Sequence, residues 1–162
     1  LKPAFKKDGT ITAGNASSIN DGAAALVLMT EERAKKEGRT ILGRIRSYAS
    51  FSREPVDFTI APVDAMKIAL DKANLKTSDI DLFEVNEAFA VVTMAAAKGL
   101  ELPMDRVNVR GGAVVLGHPI GASGSRIIVT LLQAMKDLDK KRGMAGISIG
   151  GGEALAMVIE RP

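Results

Sequence analysis

Apolar residues along the 162-residue chain follow two periods, one of strands and one of helices. Ala23 to Met29, AAALVLM, is a continuous apolar run of strand length, the pattern of a strand covered on both faces. Thr30 then predicts the N-cap of a short helix, with Glu31 and Glu32 in its first turn and Gly38 as its stop. Residues 41–50, ILGRIRSYAS, alternate apolar and polar as a half-exposed strand. Pro62 suits the first turn of a helix whose apolar positions are Val63, Met66, Ala69, Leu70 and Ala73. DLFEV, residues 81–85, predicts a short buried strand, and the Ala, Val and Met-rich stretch 88–98 a helix buried on most of its surface. Residues 110–126, RGGAVVLGHPIGASGSR, have no clear period and predict a loop, out of which Ser123 or Ser125 starts a helix through RIIVTLLQAMKDL. The last two runs, GMAGISI and ALAMVIE, joined by Gly150, Gly151 and Gly152, predict an antiparallel hairpin. Strands alternating with helices and closing on a hairpin predict an α/β layered domain with a mixed β-sheet flanked by helices.

Composition narrows the chemistry. With 46% hydrophobic and 25% charged residues the chain can bury one core, so residues 1–162 are expected to form one domain. The net charge of +3 comes from scattered Lys and Arg with few aromatic residues, which argues against nucleic-acid binding and is compatible with small anionic substrates. The chain has no Cys, hence no disulfide, no thiolate zinc site and no Cys nucleophile, and nothing in the sequence forms a metal-ligand cluster. No apolar run reaches the ~18 residues that span a bilayer, and no signal-like segment opens the chain, so a soluble, cytoplasmic protein is expected, with no membrane partner. The chain begins at Leu1 in what reads as the middle of a segment, and a piece of a longer protein is expected.

Gly146-Ile147-Ser148-Ile149-Gly150 fits the G-x-S-x-G elbow of serine hydrolases. That elbow needs a helix after the Ser and a His later in the chain. Here a strand is predicted to follow, and the one His, His118, lies upstream. Gly112 and Gly117 have Walker A spacing, but His118 stands where that motif needs Lys. His118 precedes Pro119 in a Gly-rich loop, a setting that suits function as well as structure. Asn86 and Glu87 stand where a predicted buried strand meets a predicted buried helix. They read either as a helix cap, with Asn86 as N-cap, or as a site at the carboxyl end of a strand.

Four segments taken together, GNASSINDGAAA (14–25), NEAF (86–89), GGAVVLGHPIGASG (111–124) and ISIGGG (147–152), resemble in order and spacing the C-terminal half of a thiolase. The resemblance covers essentially the whole chain and is nearest to the short-chain acetyl-CoA acetyltransferases. It implies two stacked related domains, of which this chain is the second, coenzyme A thioesters as substrates, no cofactor or metal, and a homo-oligomer. The family's acyl-accepting Cys lies in the first half, so the chain alone is expected to be inactive. His118 matches the His that activates that Cys and helps hold the thioester oxygen. Asn86 matches the Asn that positions a water, so that the two would stabilise an enolate. The Gly150 N–H matches an oxyanion-hole donor, Ala16 and Ser17 match positions lining the pantetheine channel, and Ala88 and Phe89 its apolar wall.

Ser148 departs from the pattern. The family has a second Cys there, which takes the α-proton of acetyl-CoA in condensation or returns one in thiolysis. A thiol of reference pKa about 8.5 can be tuned for that task far more readily than an alcohol. Ser18 is a lesser departure from the family's usual Gly. Two alternatives stay open: a degradative 3-ketoacyl-CoA thiolase domain, and a non-catalytic acyl-CoA-binding module, which a native Ser148 favours. An absent half is also expected to leave an apolar face exposed, with self-association or poor solubility as the consequence.

Overall fold

The computed structural model describes residues 1–162. Its framework is one four-stranded mixed sheet, in the order β1-β4-β3-β2. The strands are β1 (Arg44–Ser52), β2 (Leu82–Val85), β3 (Arg142–Ser148) and β4 (Glu153–Glu160). β2 and β3 run parallel, whereas β4 is antiparallel to both β3 and β1. The closing hairpin is therefore formed as expected, and β4 becomes a central strand with neighbours on both sides.

Helices cover both faces, which bears out the expected α/β layering. The helices are α1 (Glu31–Lys36), α2 (Ala61–Ala73), α3 (Ala90–Leu100), α4 (Ala113–Leu116) and α5 (Ser123–Asp137). On one face the small residues Ala61, Ala65 and Ala69 let α2 approach the strands closely, and Met66, Phe83, Val85, Met144, Val92 and Ala96 complete the main core. On the other, Ile127, Leu131, Ala134 and Met135 of α5 pack on Leu82, Ala145 and Ile159. Each of the larger side chains contributes about 1.5–3 kcal/mol by leaving water, and α2 and α5 pack on β3 from opposite faces of the sheet. Thr30 caps α1, accepting the Arg33 N–H at 3.2 Å.

The expectations for Ala23–Met29 and for the helix of residues 88–98 fail, and one of the two readings left open for Asn86 is excluded. The run Ala23–Met29 forms no strand or helix and has no strand partner, with Val27 85% and Leu28 75% exposed. An apolar run becomes a strand only where a neighbouring strand takes its backbone groups, and no strand of this chain lies beside it. Asn86 does not cap a helix either. Its N–H extends the β2–β3 ladder by bonding the Gly146 carbonyl at 2.9 Å, and α3 starts only at Ala90, with Phe89 at the N-cap and no side-chain cap. The same helix is buried on one face alone, through Val92, Thr93, Ala96 and Leu100, while Met94 is 64% exposed.

Candidate functional site

The parallel pair β2 and β3 ends on the same edge, in register from Leu82 opposite Gly143 to Val85 opposite Gly146. Asn86 directly follows β2, and Ser148 is the last residue of β3. In open α/β sheets the carboxyl ends of parallel strands are where ligands bind. His118 reaches this edge from the loop between α4 and α5, its Nε2 lying 3.4 Å from Asn86 Nδ2. The other ring nitrogen, Nδ1, lies 2.6 Å from the hydroxyl of Ser123, the first residue of α5.

The backbone at His118 is fixed by the N-terminal segment. The His118 N–H donates to the Ser18 carbonyl at 2.9 Å, and Ile19 bridges His118 in parallel fashion. Gly117 has φ of +92°, and a Cβ there would collide with the Asn20 side chain, so both backbone and space require glycine. The same segment straps the other expected positions together. Ala16 bridges Phe89, and both the Ser17 N–H and hydroxyl donate to the Ala88 carbonyl, at 3.1 and 3.0 Å. Phe89 packs edge-on against Phe5 and Phe58 at ring separations of 5.9 and 6.1 Å. Ala16, Ser17, Ala88 and Phe89 are thus one local unit beside Asn86.

Glu87 anchors the loop around this pair. Its carboxylate accepts from the Asn108 amide at 3.1 Å and from the Val114 N–H at 3.0 Å. Asn108 in turn accepts from the Val85 N–H and donates to the Val85 carbonyl, at 2.8 and 2.9 Å, so one side chain closes the open edge of β2 where a further strand would otherwise bond. A Cβ on Gly112 would overlap the Glu87 carboxylate. Glu87 thus serves the start of α4 and not α3, the helix that follows it in sequence.

Three side chains at or near the edge are buried with an atom that has no partner in the chain: Asn86 Oδ1, Ser148 Oγ and Glu84 Oε1. Asn86 is fully buried and Ser148 nearly so. The Gly150 N–H, in the β3–β4 turn, also makes no hydrogen bond within the chain. Burial and then the positive charge of Arg126 hold the His118 imidazole below its ordinary pKa, which favours the neutral, basic ring. Burial pushes the Glu84 carboxyl up to about 7, with Glu87 adding to the rise and Arg126 opposing it. Sequence reasoning did not find Ser123, Asn108 or Glu84 as parts of the site. For Glu84 the signal was a charge inside a fully buried strand; Ser123 and Asn108 carry no signal in sequence.

An imidazole and an amide at the end of β2, with an unpartnered hydroxyl at the end of the neighbouring β3 and a free N–H in the turn that follows, suit acyl chemistry in which an oxyanion forms and a proton moves. Comparison with known proteins agrees. The family model described as "Thiolase, C-terminal domain" matches residues 39–161, and "Thiolase, N-terminal domain" matches residues 1–32. The chain belongs to the thiolase family. It is 57% identical over 161 residues to the acetyl-CoA acetyltransferase of Escherichia coli (strain K12), covering 99% of this chain and 41% of that protein. It is 50% identical to a "Probable acetyl-CoA acyltransferase" of Staphylococcus aureus (strain MRSA252) over 99% of this chain and 41% of that one. Among solved structures, the Bacillus anthracis acetyl-CoA acetyltransferase superposes with a TM-score of 0.97 at 46% identity. Human mitochondrial 3-ketoacyl-CoA thiolase in complex with CoA superposes with 0.93 at 43% identity. Each covers 100% of this chain, which spans 41% of the solved chains. No helix is long and apolar enough to cross a membrane.

Proposed function

We propose that residues 1–162 act as the C-terminal part of an acetyl-CoA C-acetyltransferase, which joins two acetyl-CoA into acetoacetyl-CoA and CoA and runs the reverse thiolysis. The observation that carries this reading is the meeting of His118 and Asn86 at the carboxyl end of β2. In the forward direction a Cys thiolate of the preceding half takes the acetyl group and releases CoA as its thiol. His118 takes the Cys proton and returns it to the departing thiolate. The second acetyl-CoA gives its α-proton to the group at position 148, its enolate carbon attacks the acyl-Cys carbonyl, and the C–S bond breaks to leave the Cys thiolate, which recovers that proton. Asn86, through a water, and His118 stabilise the enolate oxygen; the Gly150 N–H stabilises the oxyanion on the acylated Cys.

Ser148 occupies the position from which the α-proton is taken, and Ala16, Ser17, Ala88 and Phe89 line the channel for the pantetheine arm. The substrates are coenzyme A thioesters, with no metal or other cofactor. The working enzyme is a cytoplasmic homo-oligomer, and the chain's necessary partner is the half that carries the nucleophilic Cys. A second reading, a 3-ketoacyl-CoA thiolase for longer chains, draws support from the likeness to the human mitochondrial enzyme. The Cys-bearing half would build part of the chain-length pocket. Rates of thiolysis by the whole protein on acetoacetyl-CoA and on longer 3-ketoacyl-CoA separate the two: a steep fall with chain length supports the first reading, and an equal or higher rate on long chains overturns it.

A further inference from the structure

We infer that Glu84 and Arg126 form a buried charge pair behind the Asn86–His118 contact, whose guanidinium favours the negative charge formed at the site and whose carboxylate offsets that guanidinium. The part played in catalysis rests on the thiolase reading; the pairing and its action on His118 do not. Both are positioning residues, since they act through the charge felt at His118 and not by touching substrate.

The fold sets the two side chains opposite each other. In β2, Phe83 and Val85 belong to the main core on one face of the sheet, and Leu82 to the second core on the other. Strand alternation therefore puts Glu84 on the face that α5 covers. On that face Leu82 shares its core with Ile127 and Leu131 of α5. Two residues past Glu84, Asn86 meets His118, which bonds Ser123 at the start of α5. Glu84 lies between these two fixed points on the strand, and Arg126, between Ser123 and Ile127, lies between them on the helix.

The fold uses neither charge. Glu84 is 2% exposed, and its Oε1 has no partner. Arg126 Nε is buried without a partner, and Nη1 reaches only Thr130 Oγ1, at 3.5 Å. Neither residue belongs to any of the chain's ion pairs at contact distance. A guanidinium keeps its proton at any working pH, so Arg126 is a permanent cation. Apolar residues of similar size in place of a buried pair are often neutral or stabilising, and Leu82, Ile127 and Leu131 supply such packing alongside. The charges are therefore explained by their effect on the site.

That effect is electrostatic. The Arg126 charge bears on Glu84 in β2 and on His118 in the loop before α5. It opposes a second positive charge on the ring and favours negative charge beside it, the charge of an enolate or an oxyanion. An ionised Glu84 cancels part of this field. The charged groups acting on Glu84 are Arg126 from α5 and Glu87 from the loop after β2. β3 opposes β2 with Gly143, Met144, Ala145 and Gly146 only, and the buried face of α3, Val92, Thr93, Ala96 and Leu100, carries no charge. With its carboxyl raised to about 7, Glu84 holds a proton in acid and leaves Arg126 unopposed, and it offsets Arg126 in alkali.

His118 is the one His of the chain, so its ring titration can be read directly by NMR in the labelled 162-residue chain. Arg126→Met should raise the midpoint of the ring by about 0.5–1 unit, and Arg126→Lys, which keeps the charge, should hold it near the wild-type value. A midpoint unmoved in Arg126→Met, or raised as far by Lys as by Met, overturns the pair's action on His118. In the whole enzyme at about pH 8, Arg126→Met should lower kcat for thiolysis of acetoacetyl-CoA by about 10-fold with little change in KM, while Glu84→Gln should raise it by about 3-fold. The gain from Glu84→Gln should shrink toward about pH 6, where the wild-type carboxyl already holds its proton. Glu84→Gln keeps the shape of the side chain and tests the field even where Arg126→Met fails to fold. A loss of rate in Glu84→Gln, or a gain equal at both pH values, overturns the catalytic role and makes the pair structural. Absence of thiolase activity in the whole enzyme, with the His118 midpoints moving as expected, would instead defeat the functional reading and leave the pair standing.

Discussion

The Asn86–His118 side of the site and the Ser148–Gly150 side stand at neighbouring strand ends and are held by different means. On the first side the Asn86 and His118 N–H groups and most side-chain polar groups are tied, Asn86 Oδ1 excepted. His118 is bonded through its N–H and both ring nitrogens, and Glu87 and Asn108 lock the loops around it. On the second side Ser148 Oγ is buried without a partner, and the Gly150 N–H bonds nothing in the chain. A buried hydroxyl left unpaired costs about 1–3 kcal/mol, which a protein tolerates where the group has work to do. On the proposed reading, the side that holds the base is fixed by this chain's own hydrogen bonds, and the side assigned to oxyanion binding and proton transfer is not.

Predictions that test this contrast begin with the largest effect. His118→Ala in the whole enzyme should cost about 10³-fold or more in thiolysis of acetoacetyl-CoA, with the fold kept, and Asn86→Ala about 10²-fold. Steady-state kinetics with circular dichroism on each variant would check it; equal activity in both variants and wild type would make the tied side merely structural. On the open side the expected sign is opposite. Ser148→Cys should raise the condensation rate by about 10²-fold, because a thiol can exchange the α-proton near neutrality and an alcohol hardly can. A rate left unchanged by that substitution would remove position 148 from the proton path.

Smaller effects fall on stability. Glu87→Ala strips the Val114 N–H and the Asn108 amide of their shared acceptor and should lower the unfolding free energy of the chain by about 1–3 kcal/mol in urea titrations. A loss within error would mean the loops hold without it. The subtlest prediction concerns Glu84. Its carboxyl is raised to about 7 in the folded chain, so between the ordinary value of 4.5 and about 7 the folded state binds more protons than the unfolded one. Stability contributed by this group is therefore present at low pH and lost as pH rises through that window, on the order of 1–3 kcal/mol. Glu84→Gln should flatten that slope in thermal melts from about pH 5 to about pH 8, a range that spans the group's own value of about 7. An unaltered slope would assign the titration to another group.

Much of this was legible in the chain. The hairpin of β3 and β4, the helix over Pro62 and the buried β2 follow from periodicity because each is held by its own neighbours in sequence or by a clear apolar face. AAALVLM was misleading for the converse reason. Ala154–Ile159 has nearly the same composition and becomes a central strand with partners on both sides, while Ala23–Met29 has none in this chain and lies exposed. It falls within the stretch that matches the thiolase N-terminal domain. Exposed apolar side chains recur at Val115, Leu116 and Ile120 beside the His118 loop. The site's members Asn86 and His118 were visible as motif residues, but their meeting was not, since 31 positions separate them and only the fold brings them to 3.4 Å. Ser123 and Asn108 were silent, because a Ser at a helix start and an Asn in a loop have many ordinary uses.

The most direct test of the account is thiolysis of acetoacetyl-CoA by the 162-residue chain alone and by the same chain joined to a Cys-bearing thiolase N-terminal half. The account predicts no turnover by the chain alone and measurable turnover by the joined protein, abolished by His118→Ala. Turnover by the isolated chain, which contains no Cys, would contradict it.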